Sequence, residues 1–346
     1  MERIILSICI PTFNRIEVLK ELIDSLLTIE RDDFEIVITD NCSTDNTKTI
    51  VKKYIDKRIR YILNEKPIPA LLNVIRSIFN ANGKYALYCN DRDILYPSRI
   101  NKFIDLIKDE DLSFIMCPRK SKYNENLDIY DKGYDSLIHQ DCIHHPTGMV
   151  FNCDLIKQHL KEEKYQQYLD VVNTYDFLML DLLKYEKSAI CNLGYWGTRN
   201  IEFIRNNKAG TGNNLYFMPE NRERTFYKIV KHIYWENEYG LTKEQMKFLG
   251  RKIYLFFAIL FCNYKLCLSD RNESAHYGMD KKNISSYKML KICNSFFEKS
   301  IIKIHEYIND ESIIWYLKKQ KSQFLKKVII CCVKIDVLSI YKLISI

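Results

Sequence analysis

Short uninterrupted apolar runs alternate with apolar positions at helical spacing along the first third of the chain. RIILSICI reads as a buried strand, after which Ile16, Leu19, Leu22, Ile23, Leu26 and Leu27 recur at helical spacing. FEIVITD is a second strand ending on Asp40. The polar turn NCSTDNT follows, with Ser43 or Asp45 as candidate caps, and leads into TIVKKYI as a helix. RIRYILN and KYALYCN repeat the strand pattern on either side of the helix LLNVIRSIF. RINKFIDLIK is a helix entered through Pro97, and DLSFIMC is one more strand. Strands that alternate with helices predict an α/β fold of Rossmann-like type, a mostly parallel sheet with helices on both faces. Ligands of such sheets bind at the carboxyl ends of the strands.

From Lys120 to Gly210 the rhythm is irregular: CIHHPTGMVFN reads as a loop entering a strand, and YDFLMLDLLKYEK as a helix. From Pro219 onward the pattern is mainly α-helical and rich in lysine and aromatics. The expected division is residues 1–215 as the α/β domain and residues 216–346 as a helical C-terminal region. Near the end, Val328, Ile329, Cys332, Ile335 and Val337-Leu338 fall near helical spacing with lysines between them. Such a basic amphipathic helix suits an anionic bilayer, and equally suits packing on its own domain or on a second protomer.

Composition changes this picture little. A net charge of +8 over 346 residues favours anionic partners without choosing among them. Dispersed lysines and the lack of a recognised module argue against nucleic acid. The twelve cysteines are mostly scattered singly with no CxxC pair, which reads as free thiols in the core of a cytoplasmic protein. No secretory pattern is visible at the start. IYLFFAILFCNYKLCL is interrupted by Asn263 and Lys265, so the expected location is the cytoplasm, free or at the inner face of the cell membrane.

The strand ends carry the candidate chemistry. SICIPTFNR ends on Pro11, Thr12, Phe13, Asn14 and Arg15; the second strand ends on Asp40; the fourth is followed by Asp91-Arg92-Asp93. If these ends meet, one crevice holds an aromatic face for a base, a carboxylate acceptor, and two aspartates suited to a hard divalent cation. That combination points to a nucleoside-diphosphate compound bound through a metal.

SICIPTFNR, EIVITDNCSTDNT and YALYCNDRDILYPSRI resemble, in this order, the three N-terminal signatures of family-2 glycosyltransferases with the GT-A fold. The resemblance is close over residues 3–110, loose over 140–210, and absent beyond 220. It implies Pro11, Thr12, Phe13 and Arg15 around the nucleotide and Asp40 bonding the base. It also implies that Asp91 and Asp93 bind Mn²⁺ or Mg²⁺ bridging the donor diphosphate. Where relatives carry a glycine-containing segment and an Ala-Arg-Asn triplet, NEKPIPALLNVIRS keeps only Asn73 in the last place, with Arg76 as a candidate charge. Relatives place the general base at the start of a helix in the second half of the domain, which here is Asp176, with Asp170 and Asp181 as rivals. The neighbouring acid that relatives show is replaced by Thr174 and Tyr175. HHPTG falls at the acceptor wall of relatives, and Arg199, Arg205 and Lys208 can clamp a diphosphate, with Gly210 and Gly212 as hinges.

The resemblance thus implies a metal-dependent, inverting glycosyltransferase of bacterial surface-glycan synthesis. Its donor would be a nucleotide sugar, UDP-linked by family habit, and its acceptor a saccharide or lipid-linked saccharide; a homo-oligomer is left open. Two alternatives stand beside it. One is a non-catalytic nucleotide-sugar-binding or scaffold protein that keeps the fold without turnover, kept open by the missing acid although Asp91, Asp93 and Asp40 argue against it. The other is a sugar-phosphate nucleotidyltransferase, disfavoured because IPTFNR lacks a glycine-rich loop.

Overall fold

A computed structural model of the chain describes residues 3–118, 123–140, 146–199, 217–270, 274 and 279–344. Two compact units emerge, one of Met1–Leu169 with Asn173–Ala209, the other of Asp170–Val172 with Gly210–Ile346. The division expected near residue 215 lies outside the described residues.

The first unit is built on an eight-stranded sheet of order β3-β2-β1-β4-β8-β6-β9-β7. Its left half is parallel: β1 (Leu6–Thr12), β2 (Phe34–Asp40), β3 (Ile59–Leu63) and β4 (Tyr85–Tyr88). These are the predicted apolar runs, and β1, β2 and β4 are buried almost throughout, as strands covered on both faces must be. On one face Leu6, Ile8 and Ile10 pack with Ile36, Ile38 and Leu87 against α1 (Ile16–Leu27) and α4 (Pro97–Ile107). On the other face lie α3 (Ala70–Phe79), α6 (Cys153–His159) and α7 (Tyr175–Leu182). A short α2 (Thr47–Val51) follows β2, and α5 (Tyr134–His139) precedes β8.

The right half departs from uniform parallel alternation. β8 (Met149–Asn152) inserts antiparallel between β4 and β6 (Phe114–Met116); β9 (Ser188–Cys191) runs parallel to β6, with β7 (Leu127–Tyr130) antiparallel at the edge. Because β8 runs against β4, the start of β8 meets the end of β4. A two-stranded ribbon, β5 (Asp93–Leu95) with β10 (Trp196–Thr198), stands apart from the large sheet and pairs Asp93 with Thr198.

The second unit is helical: α8 (Pro219–Tyr234), α9 (Lys243–Ser269), α10 (Ser286–His305), α11 (Glu311–Lys319) and α12 (Lys321–Ile344). The capping box Thr242–Gln245 starts α9, and Asp310 caps α11. Phe226, Tyr254, Phe257, Phe296 and Phe324 form its aromatic core. By length and composition α9 could cross a membrane, yet 56% of its most apolar stretch is buried within the protein. Lys265, one of the residues that interrupts that stretch, is buried with its Nζ on the Ile284 carbonyl (2.6 Å) and Asp336 (2.7 Å).

Gly148 shows how tightly the start of β8 is set. Its φ is +103°, and a Cβ there would meet Trp196 Nε1 at 2.4 Å and the Cys117 carbonyl at 2.5 Å. Both are themselves hydrogen-bonded to each other (2.8 Å). Gly148→Ala is therefore expected to lower the unfolding free energy by about 2 kcal/mol or more, through strain and overpacking together. Urea denaturation monitored by circular dichroism reads this directly, and an unchanged midpoint would refute it.

Candidate functional site

The order β2-β1-β4 brings the predicted strand ends side by side. Thr12 and Asp40 are register partners, and the Cys89 amide after β4 donates to the Cys9 carbonyl (3.0 Å). Beyond β4 the chain turns sharply: the Asp93 amide donates to the Asn90 carbonyl (3.1 Å), enclosing Asp91 and Arg92. This turn sends the two aspartates to different partners.

Asp91 turns toward the end of β1. Arg15 Nη1 donates to both of its oxygens (2.8 and 3.0 Å), and the Thr12 hydroxyl to Oδ2 (2.9 Å). Asp91 is almost fully buried; that burial pushes its carboxyl above the ordinary value, and Arg15 and Thr12 pull the other way. Asp93 turns toward β8, where its Oδ2 accepts from the Thr147 hydroxyl (2.5 Å) and from Asn90 Nδ2 (3.0 Å). Tyr88 donates its hydroxyl to Asn90 Oδ1 (2.9 Å). Burial, reinforced by the Asp91 and Asp93 charges, pushes that phenol far up, so it stays a donor.

The loop after β1 is tied to the loop after β2. Asn14, at φ +52°, accepts on its Oδ1 from the Thr44 amide (2.6 Å) and gives its own amide to Ser43 Oγ (2.8 Å). Asp45 joins two helices, accepting from Thr47 at the start of α2 and from the Ile16 amide at the start of α1. This frame leaves Phe13 44% exposed at the strand end, as a stacking surface requires. Pro11 is half-buried beside it.

Asp40 is fully buried, its Oδ1 accepting from the Ser43 amide (2.9 Å) and its Oδ2 from the Tyr61 hydroxyl (2.5 Å), so its carboxylate holds the turn and the neighbouring strand. Asn73 is also buried, donating to the Thr39 carbonyl (3.0 Å) and accepting from Asn64 (2.8 Å). Arg76, partly exposed, donates to Glu162 (3.0 Å) and to Asn64 (3.2 Å), the residue that follows β3.

Asp176 sits fully buried in the first turn of α7. The preceding Tyr175 packs its ring on Tyr88, 5.7 Å between centroids, which sets that turn against β4. Of the rivals, Asp181 is buried among Lys164 (2.8 Å), Lys184 (3.0 Å) and the Tyr165 hydroxyl (2.8 Å), a structural cluster. Asp170 pairs with Lys228 in the second unit. Arg199 pairs with Glu21. His144, His145, Arg205, Lys208, Gly210 and Gly212 lie outside the described residues. Among the described residues no group of three or more His, Cys, Asp or Glu is placed to hold a metal.

Residues 7–169 match the family described as Glycosyl transferase family 2. A glycosyltransferase of Rickettsia felis is 33% identical over 129 residues, 35% of this chain and 21% of that protein. One from Methanocaldococcus jannaschii is 26% identical over 271 residues, 68% of this chain and 89% of its own. The abequosyltransferase RfbV of Salmonella typhimurium is 31% identical over 121 residues, 34% and 36% of the two chains. The chain thus spans only 21% of the length of the Rickettsia felis relative.

The Arg15–Asp91 pair is buried enough that losing one partner strands the other. Arg15→Met is expected to cost about 3 kcal/mol of stability, while Arg15→Met with Asp91→Leu recovers a large part. A double-mutant cycle in urea measures the coupling, and additive losses would show the pair to be energetically idle.

Proposed function

We propose that the chain is a metal-dependent, inverting glycosyltransferase that moves a sugar from a nucleoside-diphosphate donor to a saccharide or lipid-linked acceptor in surface-glycan assembly. The observation that carries this reading is the Asn90–Asp93 turn. It sets one aspartate against the β1 end and the other against β8, within the family-2 stretch. The donor set of Asp93 and Asp91, all oxygen, fits Mn²⁺ or Mg²⁺. When bound, that cation supplies positive charge beside the departing diphosphate.

The chain's own residues do the rest. Pro11, Thr12 and Phe13 form the nucleotide's wall, with Phe13 as the stacking face, and Arg15 holds Asp91 in place. Asp40 and Asn73 shape the floor beneath the base from within the core. Asp176, at the helix start beside β4, takes the proton from the acceptor hydroxyl as it attacks the anomeric carbon from the side opposite the leaving group. UDP is the first donor base to test. The residues 1–215 would form the catalytic domain, and the helical region an anchoring or assembly surface. On α12, Ile329, Ile330, Val333 and Val337 are exposed beside Lys326, Lys327 and Lys334, a pattern suited to an anionic bilayer at the inner membrane face.

Thermal stability against UDP, GDP, CDP, dTDP and ADP, each with and without Mn²⁺, tests the donor site, since a ligand of the native state raises the melting temperature by mass action. A shift that one nucleotide gives only with metal is expected; no shift with any nucleotide would favour the scaffold alternative. Asp93→Ala is expected to abolish the metal-dependent part of that shift. Asp176→Ala should keep the shift and lose transfer, by roughly 100-fold or more. Full transfer by Asp176→Ala would remove it as the base. For the membrane contact, co-sedimentation is expected with phosphatidylglycerol vesicles and not with phosphatidylcholine, weakening as salt rises. A dimer that Val333→Asp dissociates, without vesicle binding, would assign the face to self-association instead.

A further inference from the structure

We infer that Thr147 and Asn90 are positioning residues for the Asp93 carboxylate, tuning its hold on a divalent cation; this rests on the metal role proposed for Asp93. Thr147 precedes β8, and β8 reaches the site only because it runs antiparallel to β4. Its side chain is fully buried, and its hydroxyl has one proton and two lone pairs. The Asn90 amide donates to that oxygen (2.9 Å), so the hydroxyl proton is directed to Asp93 Oδ2 (2.5 Å). Asn90 Nδ2 donates to the same Oδ2 (3.0 Å), and Asn90 is itself fixed by the Tyr88 hydroxyl on its Oδ1 (2.9 Å).

Two neutral donors on one oxygen set the plane of the carboxylate, so its ligand geometry exists before the cation arrives. Outer partners of this kind orient a ligand and raise its affinity, and their removal costs about 10–100-fold in metal binding. The tether spans β4 and β8 and would be lost by any change that shifts the Pro146–Gly148 turn relative to Asn90.

The test is Mn²⁺ binding to the full chain, followed by electron paramagnetic resonance of free Mn²⁺ in the presence of UDP. Thr147→Val keeps the shape and removes the hydroxyl; it is expected to weaken Mn²⁺ binding about 10–100-fold. Thr147→Ser, which restores the hydroxyl, should return wild-type binding, a rescue that a merely structural role would not give. Asn90→Ala should weaken Mn²⁺ in the same direction, and it carries the test if Thr147→Val does not fold. Wild-type Mn²⁺ affinity in folded Thr147→Val, or in Asn90→Ala, overturns the inference while leaving Asp93 as a ligand. A wild-type chain that binds no Mn²⁺ overturns the metal role itself.

Discussion

A single hydrogen bond, from the Asp93 amide to the Asn90 carbonyl (3.1 Å), governs what the candidate site can be. Without it, Asp91 and Asp93 would continue an extended strand and, two residues apart, project to the same face as like charges. The turn separates them. One carboxylate closes against β1 through a guanidinium and the other against β8 through neutral donors, so two residues of one type acquire two environments. The ribbon β5–β10 then begins on Asp93 itself, pairing it with Thr198 and fixing the exit from the turn.

Much of the fold was legible because buried parallel strands carry continuous apolar runs, and each run ended where its polar residues began. RIILSICI, FEIVITD and KYALYCN show this directly, and their adjacency in the sheet brings Thr12, Asp40 and Asp91 to one edge. The antiparallel insertion of β8 was not legible. A four-residue strand says nothing of its direction, and its neighbours lie far away in sequence. Thr147, Asn90 and Tyr61 were missed for the same reason. Threonine, asparagine and tyrosine gain a role here only from register, and no local pattern marks them. Asp40 and Asn73 illustrate the reverse: their positions in the motif were readable, but the hydrogen bonds that take up their side chains were not.

The helical unit was legible in class and less so in detail. The apolar spacing along α12 groups Val328, Ile329, Cys332, Ile335 and Val337; of these Val328, Cys332 and Ile335 are buried, while Ile329 and Val337 are exposed, as are Ile330 and Val333 between them. Lys265 looked like an interruption of an apolar helix. It is instead a tie, joining α9 to Asp336 on α12 and to the backbone before α10.

The amides beneath the candidate site form a branched network centred on Asn64. Asn64 donates to Asn41 and to Asn73; Asn73 donates to the Thr39 carbonyl; Asn41 exchanges hydrogen bonds with the backbone of Ile68. Asn64 donates to both other asparagines and these donate to backbone carbonyls, so replacing any one leaves a buried donor or acceptor unmatched. Divergence at this spot must then proceed by linked substitutions, through intermediates less fit than either end. This network is for that reason slow to drift, while Phe13, exposed at the end of β1, stands on ground where single changes are easy.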